Sequence, residues 1–267
     1  MTKQILLLLA CTACGSAPVR TAPSTAVLVA TPGLSGPATW ADSAARLIDK
    51  ATIAGDLQGL RNAGSLLDRA LVAYPNDALL LQYQGYGLYR EAGLLDGLGG
   101  AGRVEAPLAL ATARTKLEQS LSLQPLAETH ALLAMVMGSM IGKDQSLAPT
   151  LGPLIPQAMN AAVTLGPTNP RVWLLRGIQS FYTPIQYGGG LPVAETQLNR
   201  AIELFATDNP SPPSPAWGKA EAYVWLGQVL QKANRIAEAR AAYNAALTIQ
   251  HVYPWVTHSL LPSLDGK

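Results

Sequence analysis

Apolar and small residues in the last third of the chain recur at the period of a helix. Tyr223, Leu226, Gly227 and Leu230 fall at i, i+3, i+4 and i+7, which places them on one helical stripe. Ala239, Tyr243 and Ala246 form a similar stripe on a second helix. Between the two lies Ala233-Asn234-Arg235, and Asn tolerates the left-handed backbone that a tight helix end requires. The spacing predicts a helix hairpin over residues 220–253. Small residues at Gly227, Ala239 and Ala246 let the two helices approach, and Tyr223, Leu226 and Tyr243 fill the space between them.

The second half of this pattern recurs upstream at the same internal spacing. Its copies are Ala63, Leu67, Ala70 and Pro75; Ala113, Leu117, Ser120 and Pro125; Ile155, Met159, Ala162 and Pro167; and Ala194, Leu198, Ala201 and Ala206, where the closing Pro is missing. The first half recurs as Leu81-x2-Gln84-Gly85, His130-x2-Leu133-Ala134 and Trp173-x2-Arg176-Gly177, while residues 41–54 read as a degenerate first helix. Five helix pairs are predicted, at approximately 41–77, 78–126, 127–169, 170–207 and 220–253, with 254–267 as a C-terminal cap carrying Trp255, Leu260, Leu261 and Leu264. One pair cannot bury its apolar face alone, and stacked neighbours share a continuous core.

The run Tyr223-x2-Leu226-Gly227, then Ala239-x3-Tyr243, then Ala246, resembles the tetratricopeptide (TPR) repeat. It departs from that pattern with Tyr for the leading Trp, Leu230 for the first Tyr, and His251 for the usual closing Pro. The resemblance implies an all-α fold, a right-handed superhelical solenoid of about five hairpins with Gly/Pro-rich insertions. The stretches Tyr182-Thr183-Pro184, Gly188-Gly189-Gly190 and Pro215-Ala216-Trp217-Gly218 are also similar to loops of bacterial envelope TPR proteins.

Composition changes the picture mainly by exclusion. Charged residues make up 13% of the 267, against an average of about 25%, and the net charge is +2. No dense Lys/Arg patch announces a nucleic-acid partner. Residues 1–14 read as a lipoprotein-type signal: Lys3 supplies the positive start, and residues 5–10 form an apolar run too short to span a membrane. Cys11 and Cys14 are the only cysteines. Leu8-Leu9-Ala10-Cys11 resembles a lipobox, and Cys14 with Gly15-Ser16 after it is the other candidate lipidation site. A plain secretory signal and a C-x-x-C redox or metal motif are the competing readings. Residues 15–39, with four prolines and one charge, read as a tether. The expected location is the bacterial cell envelope, lipid-anchored on the periplasmic or extracytoplasmic side.

Three insertions fall between the two helices of a repeat, at 94–107, 142–153 and 183–192. In a helical solenoid such loops emerge on one edge and form a lip, here carrying Arg103, Lys143, Tyr187, Gly188, Gly189 and Gly190. The three glycines admit a phosphate-cradle reading. No Lys-Ser/Thr follows them, Pro192 interrupts the next helix start, and a tight turn is the stronger expectation. A fourth interruption, 208–218, with four prolines, falls between repeats and is expected as a stiff spacer on the opposite edge.

The TPR register places the inner groove on first-helix positions: Gln82, Tyr86, Tyr89, Arg90, Met135, Arg171, Ile178, Phe181, Tyr182, Gln228 and Lys232. Aromatic residues with Arg are enriched in binding hot spots, and Arg90, Arg171 and Lys232 suit a peptide with a carboxylate end. The expected partner is another protein or peptide, with the membrane as a second partner through the lipid anchor. The alternative, similar to periplasmic TPR components of TRAP-type transporters, is a small-ligand binder or transporter accessory. A closed pocket under 94–107 and 183–192 favours that alternative, and an open groove with Tyr86, Tyr89 and Tyr182 exposed favours a protein. His130, His251 and His258 form no metal-ligand spacing, and neither a G-x-S-x-G elbow nor a G-x-G-x-x-G turn is present. No metal or cofactor is expected, and no enzyme activity.

Overall fold

The structure, a computed structural model, describes residues 36–265. The signal at 1–14, both cysteines, and most of the tether at 15–39 therefore lie outside the described residues. The tether's final residues belong to the fold: α1 (Pro37–Ala54) begins with Pro in its first turn, where no hydrogen-bond donor is needed, and buries Trp40, Ala41, Ala44, Ile48 and Ala51.

The remaining helices are α2 (Leu57–Ala73), α3 (Ala78–Leu98), α4 (Gly102–Leu123), α5 (Ala127–Lys143), α6 (Ala148–Leu151), α7 (Leu154–Leu165), α8 (Pro170–Tyr182), α9 (Leu191–Phe205), α10 (Lys219–Lys232) and α11 (Ile236–Ile249), and no strand occurs among the described residues. α1 packs on α2, α3 on α4, α5 on α7, α8 on α9 and α10 on α11, and successive pairs stack. Side-chain caps mark several starts. Asp56 accepts from the Gly59 amide at 2.9 Å, Asp77 from Leu80 at 2.9 Å, and Asn169 from Arg171 at 3.0 Å. The last hairpin turns on Asn234, whose φ is +62°.

The small position of the repeat is a steric requirement. A Cβ on Gly85 would stand 2.6 Å from the Leu117 side chain, and one on Gly227 would run into the Tyr243 ring. In three of the five pairs a glycine of the first helix, Gly85, Gly177 or Gly227, faces the large residue of the second, and α5 carries Ala134 at that position. Leu67, Leu117, Leu198 and Tyr243 are fully buried at that second-helix position.

Two of the expected loops are largely helical. Residues 94–107 extend α3 to Leu98 and start α4 at Gly102, leaving only a short turn. The reason is packing: Leu95 and Ala106 are buried and continue the core stripes of both helices, while exposed Pro107 sits in the second turn of α4. Residues 142–153 hold a 3-10 turn at Gln145–Leu147 and then α6. Only 183–192 keeps a loop of any length, around a 3-10 turn at Ile185–Tyr187.

After α11 the chain makes a π-turn at Val256–Leu260 and a 3-10 turn at Pro262–Leu264. Tyr253, Val256 and Leu264 are buried against α10 and α11, with Leu260 and Leu261 half-buried beside them. Trp255 points elsewhere and is 41% exposed. Ile53 at the end of α1 packs against this same cluster, so the first helix meets the last pair.

Candidate interaction surface

The inner face of the array is already occupied by the chain itself. The segment 208–218 lies across α3 and α8 and is not a spacer on the opposite edge. Trp217, 5% exposed, stacks on Tyr86 with ring centroids 4.7 Å apart and planes at 20°. The Tyr83 hydroxyl donates to the Pro213 carbonyl at 3.1 Å. Arg171 donates to both oxygens of Asp208, at 2.7 and 3.3 Å, and its guanidinium lies 5.5 Å from the Phe205 ring centroid. Four prolines restrict the unfolded segment, which lowers the entropy lost when it is laid down.

This covering overturns much of the expected groove. Tyr86 and Arg171 are each 2% exposed, beneath Trp217 and Asp208. Gln82, 1% exposed, accepts a 2.6 Å hydrogen bond from the Thr129 hydroxyl inside the core. Met135 and Ile178 are buried as well. Arg90 donates to both oxygens of Glu221 on α10 at 2.8 and 2.5 Å, with its guanidinium 5.0 Å from the Tyr86 ring centroid. Burial works against the Arg90 charge, but Glu221 more than offsets it and keeps the guanidinium protonated. Of the three cations expected to meet a carboxylate, two are neutralised internally and only Lys232 remains. Tyr89 and Gln228 are half-buried, and burial pushes the Tyr89 phenol up to about 12.

What stays accessible is one aromatic edge, exposed at Tyr182 and Trp255 and half-buried at Phe181 and Trp225. Phe181 meets Tyr182 edge-on at 5.1 Å, and Trp225 contacts both, at 5.7 and 5.8 Å. Trp255 continues the row 6.3 Å beyond Trp225. Lys232 places its ammonium 5.0 Å from the Phe181 ring centroid. Beside them the 183–192 loop presents Ile185 and Tyr187, 78% and 77% exposed, next to Tyr182 at 67%. Register reasoning found Phe181, Tyr182 and Lys232 but missed Trp225 and Trp255. The available signal was a Trp lying off the Tyr223, Leu226 and Leu230 stripe, where the hairpin core has no use for it.

The other lip residues are placed apart. Lys143 pairs with Asp96 and thereby ties the 142–153 segment to the end of α3, while Arg103 is exposed on α4. The amides of Gly188, Gly189 and Gly190 bond to the carbonyls of Ile185, Pro184 and Ser180 at 2.9, 3.3 and 2.8 Å. All three are consumed by the turn, so no cradle for an anion forms. His130 is held below its ordinary pKa by burial, and the His251 ring nitrogen Nδ1 lies 2.9 Å from the Leu247 carbonyl. Among the described residues no group of His, Cys, Asp and Glu could hold a metal, and no helix is long and apolar enough to cross a membrane.

No protein-family model matches the chain. No curated protein matches its sequence. Solved structures do match. The HusA haemophore from Porphyromonas gingivalis aligns with a TM-score of 0.60 at 21% identity, over 74% of this chain and 96% of that one. A thermophilic TPR protein of Thermus thermophilus, TTC0263, aligns with a TM-score of 0.55 at 18% identity, over 84% of this chain and 95% of that one. At these identities the likeness speaks for the fold alone. Together with the glycine-against-large-residue packing of three of the hairpins, it gives the chain the all-α, TPR-type fold of stacked helix pairs.

Proposed function

We propose that the protein is a non-catalytic interaction scaffold that captures a protein partner on its exposed aromatic edge. The observation that carries this is the row Tyr182, Trp225 and Trp255, followed along the chain from Tyr182 by exposed Ile185 and Tyr187 and flanked by Lys232. Tyr and Trp supply large contact area with little rotamer entropy to lose, and exposed patches of this kind mark interaction sites. The partner suited to it offers apolar side chains with a carboxylate near Lys232. The test is photo-crosslinking from position 187 of the full-length protein in native cells, followed by mass spectrometry. A defined protein should be recovered, and lost when Tyr182→Ser and Trp255→Ser are introduced together. Equal recovery with that variant removes the edge as the site.

A second reading has one supporting observation: a protein of the same fold is described as a haemophore. A planar ring could stack on the same exposed aromatics. An absorbance titration with haemin decides it. A saturable Soret shift lost in Tyr182→Ser supports the reading, and an unshifted spectrum removes it.

The proposed setting is the cell envelope, with a lipid anchor on the extracytoplasmic side. The run Leu8-Leu9-Ala10-Cys11 and the second cysteine, Cys14, support this reading. Metabolic lipid labelling of Cys11→Ser and Cys14→Ser variants tests it, since only loss of the true site abolishes the label. Label absent already from the wild type would replace the anchor with a plain secretory signal.

A further inference from the structure

A second, smaller site lies where α1 meets α10. A cavity of about 110 Å³ is lined by Asp49 and Thr52 of α1, Arg90 of α3, Tyr253, and the first residues of α10 including Lys219 and Glu221. Its walls hold polar atoms that the fold leaves without partners. The Arg90 Nε and the Thr52 hydroxyl are buried and make no hydrogen bond among the described residues. Tyr253, 7% exposed, feels the charges of Glu221, Arg90 and Asp49 but pairs its hydroxyl with none of them. Asp49 likewise has only charge interactions, with Arg90 and Glu221. Leaving buried polar groups unmatched costs stability, and two such atoms at one cavity, beside Asp49 and the Tyr253 hydroxyl, mark a place where a ligand completes them.

The two ends of the cavity ask for opposite chemistry. Arg90 Nε–H is purely a donor, and α10 has Gly218 at its N-cap with no side-chain cap for its first amides. That end calls for a carboxylate. Asp49 and Thr52 stand one turn apart on the same face of α1, and with the Tyr253 hydroxyl they call for a donor such as an ammonium. The lining charges balance, Asp49 and Glu221 against Arg90 and Lys219. A zwitterion preserves that balance, whereas a simple anion or cation would bury an unpaired charge. The volume corresponds to about three or four water molecules, which admits only a small side chain.

We propose that this cavity binds a free α-amino acid of small side chain, glycine to serine in size, held by both of its charges. Glycine, L-alanine and L-serine are titrated into the whole protein by calorimetry and thermal shift, with acetate and methylammonium as half-ligands. The expected result is saturable binding of at least one amino acid and none of either half-ligand. Asp49→Asn should weaken it by at least about tenfold, and Thr52→Val, which keeps shape and removes the hydroxyl, should weaken it by a smaller factor. Absence of binding by all three amino acids, equal binding of a half-ligand, or unchanged affinity in both variants would overturn the assignment. Thr52→Val keeps the test available should Asp49→Asn disturb folding.

Discussion

Tyr86 and Tyr182 both hold inner-face register positions, on α3 and α8, yet one is 2% exposed and the other 67%. The repeat pattern treats them alike. What separates them is a segment that belongs to no repeat: 208–218 lays Trp217 over Tyr86 and stops short of Tyr182. A register therefore says which side chains face inward, and the covering chain says which of them a partner can reach.

The largest test of that contrast falls on the covered side. Glu221→Ala leaves Arg90 charged in a site where its side chain is only 13% exposed, which should destabilise folding by about 3 to 5 kcal/mol. Denaturant unfolding measures it, and a loss below about 1 kcal/mol would mean the pair is better solvated than its burial indicates. Trp217→Ala comes next. It removes the stack on Tyr86 and should cost about 3 kcal/mol while making Tyr86 accessible to chemical labelling. If Tyr86 stays protected, 208–218 is not what covers it.

A smaller effect is expected from Asp49. Burial raises its pKa above 3.8, with Arg90 opposing. The folded state therefore holds the proton more tightly than the unfolded one, and stability should fall as the pH rises from the ordinary carboxylate value through the raised folded value. Asp49→Asn should flatten that decline and raise stability at neutral pH, as read by melting temperature against pH. An unchanged pH profile would place the titration elsewhere. The smallest stability effect belongs to the exposed side. Tyr182→Ser with Tyr187→Ser should alter folding by no more than about 0.5 kcal/mol, since neither ring is buried, while abolishing partner capture. A large loss of stability there would erase the distinction between the two faces.

The hairpins were legible because their signals are local. Gly85 against Leu117 and Gly227 against Tyr243 lie within single repeats, and Asn234 adopts the left-handed turn its type permits. Residues 94–107 read as a loop in the sequence because Gly99, Gly100 and Pro107 punctuate them, although buried Leu95 and Ala106 carry the stripes through. The aromatic edge was half legible. Phe181 and Tyr182 follow from register, but Trp255 reaches it only through the turn after α11, where Val256 takes the buried position instead.

Helix periodicity and small-against-large complementarity act over a few residues, or within one hairpin, so the sequence alone determined the repeat, the hairpin turn and the core. The fate of the inner face was decided by contacts between residues far apart in the chain. Tyr83 bonds to Pro213 and Arg90 to Glu221 across 130 and 131 residues. Such contacts exist only once the stacked pairs have curved far enough to bring α1, α3 and α10 together, a geometry set by the sum of all the helix packings and written at no single position.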